Sequence, residues 1–284
     1  MNQPTIKSMA EIEEEYRAML MRSDELSLDL GDWLPELREH VRPIAPGELV
    51  FIMGDTGAGK SMACQGIAAD AAPGSVLYFS LELPNTLMFE RFAALTTDRE
   101  CWRIEKAVRA GQSIPKSGLD HIWSCDATRL SKDQMATLIN EDAVKLMGHK
   151  PSTVMVDYLG LMGASGKSRY ERASCAAEDL KVLAKECNVV VVAATQIHRQ
   201  SEDIEVDIHS AKDSGSIENS AGLLLGLWRD ATDLGKLYVR ICKNTKGQAG
   251  KVIECRIDGA KMRISPWQST DTVPLARDMA HFDG

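Results

Sequence analysis

The chain has 284 residues, 44% of them hydrophobic, which suits one large domain or two small ones and excludes a disordered protein. A formal charge of −8 argues against a surface coated for polyanions, so any contact with nucleic acid has to be local. Seven cysteines with no C-x-x-C pair suggest neither a disulfide framework nor a zinc site and fit a reducing cytoplasm, while apolar runs no longer than a strand predict no membrane association.

Residues 1–45 read as an N-terminal arm. Ser8 and Glu11 form a capping box, and Met9, Ile12, Tyr16, Met19 and Leu20 recur at helical spacing opposite Glu13, Glu14 and Glu15. The pattern predicts one amphipathic helix whose apolar stripe covers either its own domain or a neighbour. Polar residues 22–25 separate this helix from the first strand-like run.

The apolar run Leu49–Met53 leads into Gly54-Asp55-Thr56-Gly57-Ala58-Gly59-Lys60-Ser61, a complete G-x-x-x-x-G-K-[ST] loop, and a helix-like stretch extends from Ser61 to Ala71. In such a loop glycines let successive backbone N–H groups converge on phosphate oxygens. Lys60 reaches the β- and γ-phosphates, and the Ser61 hydroxyl joins a Mg²⁺ shell at a helix N-terminus. Strand, loop and helix stand in the order a nucleoside triphosphate site requires.

From residue 46 onward, strand-like runs alternate with helix-like ones: Leu49–Met53, Ser75–Leu81, Thr153–Asp157, Val189–Ala194 and Leu223–Trp228. Alternation of this kind predicts an α/β fold, a mostly parallel twisted sheet flanked by helices. Runs at Leu237–Cys242, Val252–Arg256 and Lys261–Ile264 lack intervening helices and predict antiparallel pairing. The main domain, which carries the triphosphate loop, is therefore placed at 46–265, with a tail at 266–284.

Ligands of open α/β sheets sit at the carboxyl ends of strands, so polar residues that end apolar runs are the candidates. Asp157 ends Val154-Met155-Val156 as a Mg²⁺-shell aspartate would; a structural or capping aspartate is the alternative. Glu82 comes directly after Leu77–Leu81 and could orient or deprotonate an attacking water, or could simply be solvated. Gln196 comes after Val191–Thr195 and could report on the γ-phosphate. Two segments succeed these strands. The first, 163–172, is glycine- and serine-rich and carries Lys167 and Arg169; the second, 198–212, carries Arg199 and Lys212 among Glu202, Asp203, Glu205 and Asp207. The basic side chains suit nucleic-acid phosphates, while the acidic ones leave the second segment equally readable as an ordinary surface loop.

Together these stretches resemble the C-terminal ATPase domain of DnaB-type replicative helicases, within the RecA-like P-loop NTPases. The likeness rests on Phe79-Ser80-Leu81-Glu82-Leu83-Pro84, on 156–162 from Val156 to Met162, on 180–186 from Leu180 to Glu186, on Gln196-Ile197-His198-Arg199, on 213–219 and on Trp228-Arg229-Asp230. The resemblance implies a hexameric homo-oligomeric ring around single-stranded DNA, hydrolysing ATP with Mg²⁺ at subunit interfaces. Lys60 and Ser61 would hold phosphate and metal, Asp157 the metal, Glu82 would be the catalytic glutamate, and Gln196 would couple the γ-phosphate to the loop after it. A helicase loader or primase would be a further partner, and the cytoplasm, of a host if phage-encoded, the location.

Two departures from the family pattern stand out. Only some 45 residues precede the ATPase core, as expected of a minimal phage- or plasmid-type helicase whose arm helix serves as the linker between subunits. At the family's Lys-x-Arg finger the chain reads Lys243-Asn244-Thr245-Lys246, and a threonine hydroxyl cannot neutralise charge as a guanidinium does. Lys243 or Lys246 could replace it, or both could be solvated turn residues. A RecA- or KaiC-like DNA-binding ATPase that forms a filament or regulatory ring without unwinding is the alternative, and an accessory protein with a vestigial ATPase a third reading.

Overall fold

Side chains of β1 (Leu49–Gly54) point alternately into two apolar layers. Val50 and Ile52 join one core cluster, Leu49, Phe51 and Met53 the other, and every residue of the strand is buried. A strand covered on both faces reads as an uninterrupted apolar run, which is how this segment is spelled. The computed structural model describes residues 6–21, 27–115, 118–196, 206 and 215–268, apart from the side chains at 19 and 20.

Eight further strands complete the sheet among the described residues: β2 (Val76–Ser80), β3 (Ile122–Asp126), β4 (Thr153–Asp157), β5 (Val190–Gln196), β6 (Leu223–Arg229), β7 (Lys236–Asn244), β8 (Val252–Asp258) and β9 (Arg263–Pro266). Their order is β3-β2-β4-β5-β1-β6-β7-β8-β9. Pairings from β3 across to β6 are parallel, and those from β6 to β9 antiparallel, as the missing helices after residue 237 predict. One strand was not expected. β3 is at the sheet edge with a single neighbour, and its sequence Ile122-Trp123-Ser124-Cys125-Asp126 is short and half-exposed, so it lacks the apolar run that marks the interior strands.

Helices cover both faces. On one lie α2 (Lys60–Ala69), α3 (Asn85–Thr97) and α4 (Cys101–Arg109), contributing Met62, Ile67, Met88, Phe92 and Ile104 to the first cluster. On the other lie α5 (Lys132–Thr137), α6 (Ala143–Met147), α7 (Arg169–Cys187) and α8 (Gly215–Ser220), contributing Met135, Ala143, Leu180, Leu183 and Ile217 to the second. The helix expected from Ser61 to Ala71 begins one residue earlier and ends at Ala69.

The arm divides in two. Its helix, α1 (Met9–Met21), forms with the expected Ser8–Glu11 capping bonds, yet Ile6, Met9, Ile12 and Tyr16 are all exposed. Residues 28–44 behave differently: Leu28, Leu30, Trp33, Leu34, Leu37, Val41 and Ile44 are buried in the first core cluster, and Leu28 pairs with Ile44 in an antiparallel bridge. The packed body thus begins near Leu28 rather than at 46. The segment holds only a short 3-10 helix, Pro35–Glu39, so its apolar residues carry neither period that a sequence reading looks for.

Candidate functional site

Four parallel strands end around one cavity of about 310 Å³, lined by Thr56, Gly57, Gly59, Lys60, Ser61, Met62, Glu82, Leu83, Arg91, Asp157, Tyr158, Gln196 and Met262. The loop between β1 and α2 forms its floor. Gly57 and Gly59 adopt φ of +78° and +100°, the left-handed region that other residues enter only with strain. A Cβ on Gly59 would also lie 2.9 Å from Ile257 Cδ1, so the loop rests directly on β8. Ala58 N–H donates to Asp55 O and Thr56 N–H to Asp55 Oδ1, which curls the loop, and Lys60 Nζ donates to Asp55 O at 2.8 Å. Behind Lys60 runs the whole of α2, whose first N–H groups have no partner within the helix and favour an anion.

Gly54 is fixed for a different reason. A Cβ there would stand 2.7 Å from the Leu227 carbonyl oxygen of β6 and 3.1 Å from Ala58 Cβ. Gly54→Ala is expected to destabilise the fold by about 1–3 kcal/mol through overpacking, read as a lower urea midpoint at unchanged slope.

Asp157 anchors the opposite wall. It ends β4, is buried, and accepts hydrogen bonds from Ser61 Oγ at 3.2 Å and Tyr78 OH at 3.0 Å. Burial raises its pKa above the ordinary carboxylate value, the two hydroxyl donors pull it down, and the Glu82 charge pushes it up further. Tyr78 is itself fully buried, edge-on to Phe92, and its phenol is pushed well up by burial and by Asp157, which keeps it a donor. Burial likewise raises the Cys64 thiol well up beneath the loop. Lys60 is shifted down by desolvation, against the attraction of Asp157 and Asp55. The oxygens of Ser61 and Asp157 are hard donors side by side at a phosphate-binding loop. That donor set fits Mg²⁺, which takes one or two protein oxygens and completes its shell with phosphate and water.

Glu82 reaches the cavity because Leu81 N–H donates to Asp157 O and Ser80 Oγ to Leu83 O, which turns the chain just past β2. Gln196, the last residue of β5 and paired in register with Gly54, donates from Nε2 to Thr56 Oγ1 at 2.5 Å. The fold therefore assembles Thr56, Lys60, Ser61, Glu82, Asp157 and Gln196, all singled out from the sequence. It adds Tyr78, Arg91, Tyr158 and Met262, which were not. A tyrosine hydroxyl in the apolar run of β2 was the available signal for Tyr78; Arg91, on α3, had none.

Other expected residues lie elsewhere. Lys243 Nζ donates to the Glu218 carbonyl, and Lys246 forms an ion pair with Glu48, the residue before β1. Both sit at the amino end of the parallel strands, whereas the cavity is at the carboxyl end, roughly 17 Å away at about 3.3 Å per residue of β1. Neither lysine lines the cavity of its own chain. Thr245 Oγ1 donates to the Gly222 carbonyl. Lys167 is exposed, and its backbone N–H donates to Glu171 Oε2. Arg169, also exposed, donates from Nη2 to Gln196 Oε1 at 3.0 Å. Arg199 and Lys212 lie outside the described residues.

The family description "DnaB-like helicase C terminal domain" matches residues 33–264. The replicative DNA helicase DnaB of Pasteurella multocida is 28% identical over 239 residues, which cover 74% of this chain and 49% of that protein. The chain thus spans about half the length of the curated relatives it matches. Among solved structures, the ATPase domain of a phage protein superimposes with a TM-score of 0.76 at 20% identity, covering 93% of this chain and all of that one. A DnaB-like replicative helicase studied with its primase interactions gives 0.73 at 20% identity, covering 94% of this chain and 68% of that one.

Proposed function

Since the chain belongs to the DnaB-like helicase C-terminal domain family and has its RecA-like fold, we propose that it hydrolyses ATP in the cavity described and couples turnover to movement along single-stranded DNA in replication. The observation that carries this reading is the convergence of Lys60, Ser61, Glu82, Asp157 and Gln196, drawn from four strand ends, on one cavity floored by the glycine-rich loop.

The chemistry is set by what each side chain can do. The loop N–H groups and Lys60 receive the triphosphate, Lys60 exchanging its bond to Asp55 O for phosphate oxygen. Ser61 and Asp157 would hold Mg²⁺, which supplies charge neutralisation on the phosphates. Glu82 accepts a proton from the water aligned with the γ-phosphate, and Gln196, seated on Thr56, donates to the γ-phosphate when it is present. Phosphoryl transfer of this kind depends on positioning and electrostatics rather than on a covalent intermediate.

Among the described residues, the cations that line the cavity are Lys60 and Arg91. In a ring, Lys243 or Lys246 of a neighbouring copy would add positive charge from the open side, after leaving its partner at the far end of the strands. The exposed apolar stripe of α1 suits docking on that same neighbour. DNA phosphates would meet Lys167 and the segments bearing Arg199 and Lys212. A primase or helicase loader is the expected partner of the assembled ring, with the cytoplasm as the place of action. No described helix is long and apolar enough to cross a membrane.

ATPase rate measured against protein concentration, with and without single-stranded DNA, tests the proposal. A superlinear rise with concentration, stimulation by DNA and displacement of a strand from a forked duplex are expected. A fully active monomer indifferent to oligonucleotides would overturn it. Lys243 and Lys246 are both engaged within the chain, which favours one second reading, a DNA-binding ATPase that forms filaments without unwinding. Helical filaments seen by electron microscopy with a non-hydrolysable nucleotide would select it.

A further inference from the structure

The Gln196 carboxamide is held at both ends. Its Nε2 donates to Thr56 Oγ1 in the phosphate loop, and its Oε1 accepts from Arg169 Nη2. Arg169 is the first residue of α7, whose N-terminus is fixed by reciprocal bonds: Glu171 N–H donates to Ser168 Oγ at 3.0 Å, and Glu171 Oε2 accepts from the backbone of Ser168 and of Lys167. A continuous series of hydrogen bonds thus runs from the phosphate loop, through the end of β5, to the start of α7 and the basic segment before it.

We propose that Arg169 is a positioning residue for the triphosphate sensor: its guanidinium occupies Gln196 Oε1 and so fixes the amide with its NH₂ group facing the phosphate loop. A guanidinium has donors and no acceptor, so it can hold only the oxygen end of a carboxamide. The flipped amide would set NH₂ against Arg169 and present Oε1 to an anionic phosphate, losing attraction at both ends. The γ-phosphate is likewise acceptor-only, so an NH₂ group facing it is the productive orientation. Arg169 also gives the signal a route. When Nε2 leaves Thr56 for the phosphate, the shift passes through Oε1 to the first turn of α7, and with it to the segment carrying Lys167.

This inference rests on the ATP-hydrolysing reading of the cavity and replaces direct contact with nucleic-acid phosphate as the principal role of Arg169. The test is the ratio of affinities for ADP and a non-hydrolysable ATP analogue, with Mg²⁺ and without DNA, in the full chain. Arg169→Ala is expected to reduce the preference for the triphosphate about tenfold, the scale of one charge-assisted hydrogen bond, while ADP affinity stays unchanged and reports an intact fold. Arg169→Lys should restore part of the preference. Gln196→Ala should show the same loss, and Arg169→Ala in that background should add nothing, because the two residues act through one bond. Unchanged discrimination in Arg169→Ala, or additive losses in the double variant, would overturn the inference. So would an effect confined to single-stranded DNA affinity and its salt dependence, the mark of a plain phosphate contact. The parent protein separates the two levels: if it binds no nucleotide, the reading of the cavity fails as well, whereas a parent that discriminates beside an Arg169→Ala variant that discriminates equally removes only the role of Arg169.

Discussion

Glu82→Gln is expected to lower ATP turnover by about 10²–10⁴-fold while leaving nucleotide affinity within a few-fold of the parent. Glutamine keeps the size of the side chain at the mouth of the cavity but cannot take a proton from water, so the loss should fall on kcat and not on KM. Lys60→Ala provides the contrast. Its ammonium lies in the phosphate loop beside Asp55 O, and its removal should weaken binding and turnover together. Single-turnover hydrolysis and equilibrium binding of a fluorescent nucleotide, run on both variants, separate the two cases. A Glu82→Gln protein that still turns over at parental rate would remove Glu82 from the reaction and move the search for a base elsewhere in the cavity.

Asp157→Asn should have opposite effects on the free and the nucleotide-bound protein. In the free protein, burial raises the Asp157 pKa above its unfolded value, so the group's contribution to stability is complete below the ordinary carboxylate range and is lost as pH rises through the raised folded value. At neutral pH the buried carboxylate therefore weighs against folding. Asparagine removes the charge, can still accept from one of the two hydroxyls at Ser61 and Tyr78, and can donate to the other. The variant should melt above the parent at neutral pH, and the difference should vanish as pH falls into the acid range. With Mg²⁺ and nucleotide the order reverses. A ligand at 100 times its dissociation constant stabilises the parent by about 2.7 kcal/mol. The Mg²⁺-dependent part of that gain should disappear in the variant, together with about 10²-fold or more of turnover. Thermal melts at neutral and acid pH, with and without Mg²⁺-nucleotide, read all of this. A variant that melts lower at neutral pH and keeps its Mg²⁺-dependent shift would show that Asp157 is a structural hydrogen-bond acceptor only.

How far the sequence revealed the molecule depended on how local each feature is. The phosphate loop and the interior strands were readable because their signals are contiguous: glycines at 54, 57 and 59 where the backbone needs them, and apolar runs wherever a strand is covered on both faces. β3 and residues 28–44 escaped for the converse reason. An edge strand buries too little to spell an apolar run, and a segment that packs through irregular turns has no period to detect. Glu82, Asp157 and Gln196 were candidates because each ends an apolar run, and the family resemblance, which matches blocks in order along the chain, attached a role to each.

By itself, then, the sequence determined a nucleoside triphosphate loop on a parallel α/β sheet, because backbone conformation and strand burial are written in neighbouring residues. The tertiary structure decided which distant side chains meet. Ser61 bonds to Asp157 across 96 positions and Gln196 to Thr56 across 140. Those contacts exist because the order β2-β4-β5-β1 sets four carboxyl ends side by side. The antiparallel course of β7 beside β6 sends Lys243, and Lys246 in the turn after it, to the opposite end of the sheet, and the start of α7 sets Arg169 against Gln196. Strand order depends on how whole apolar faces pack together, and no single stretch of the chain carries that information.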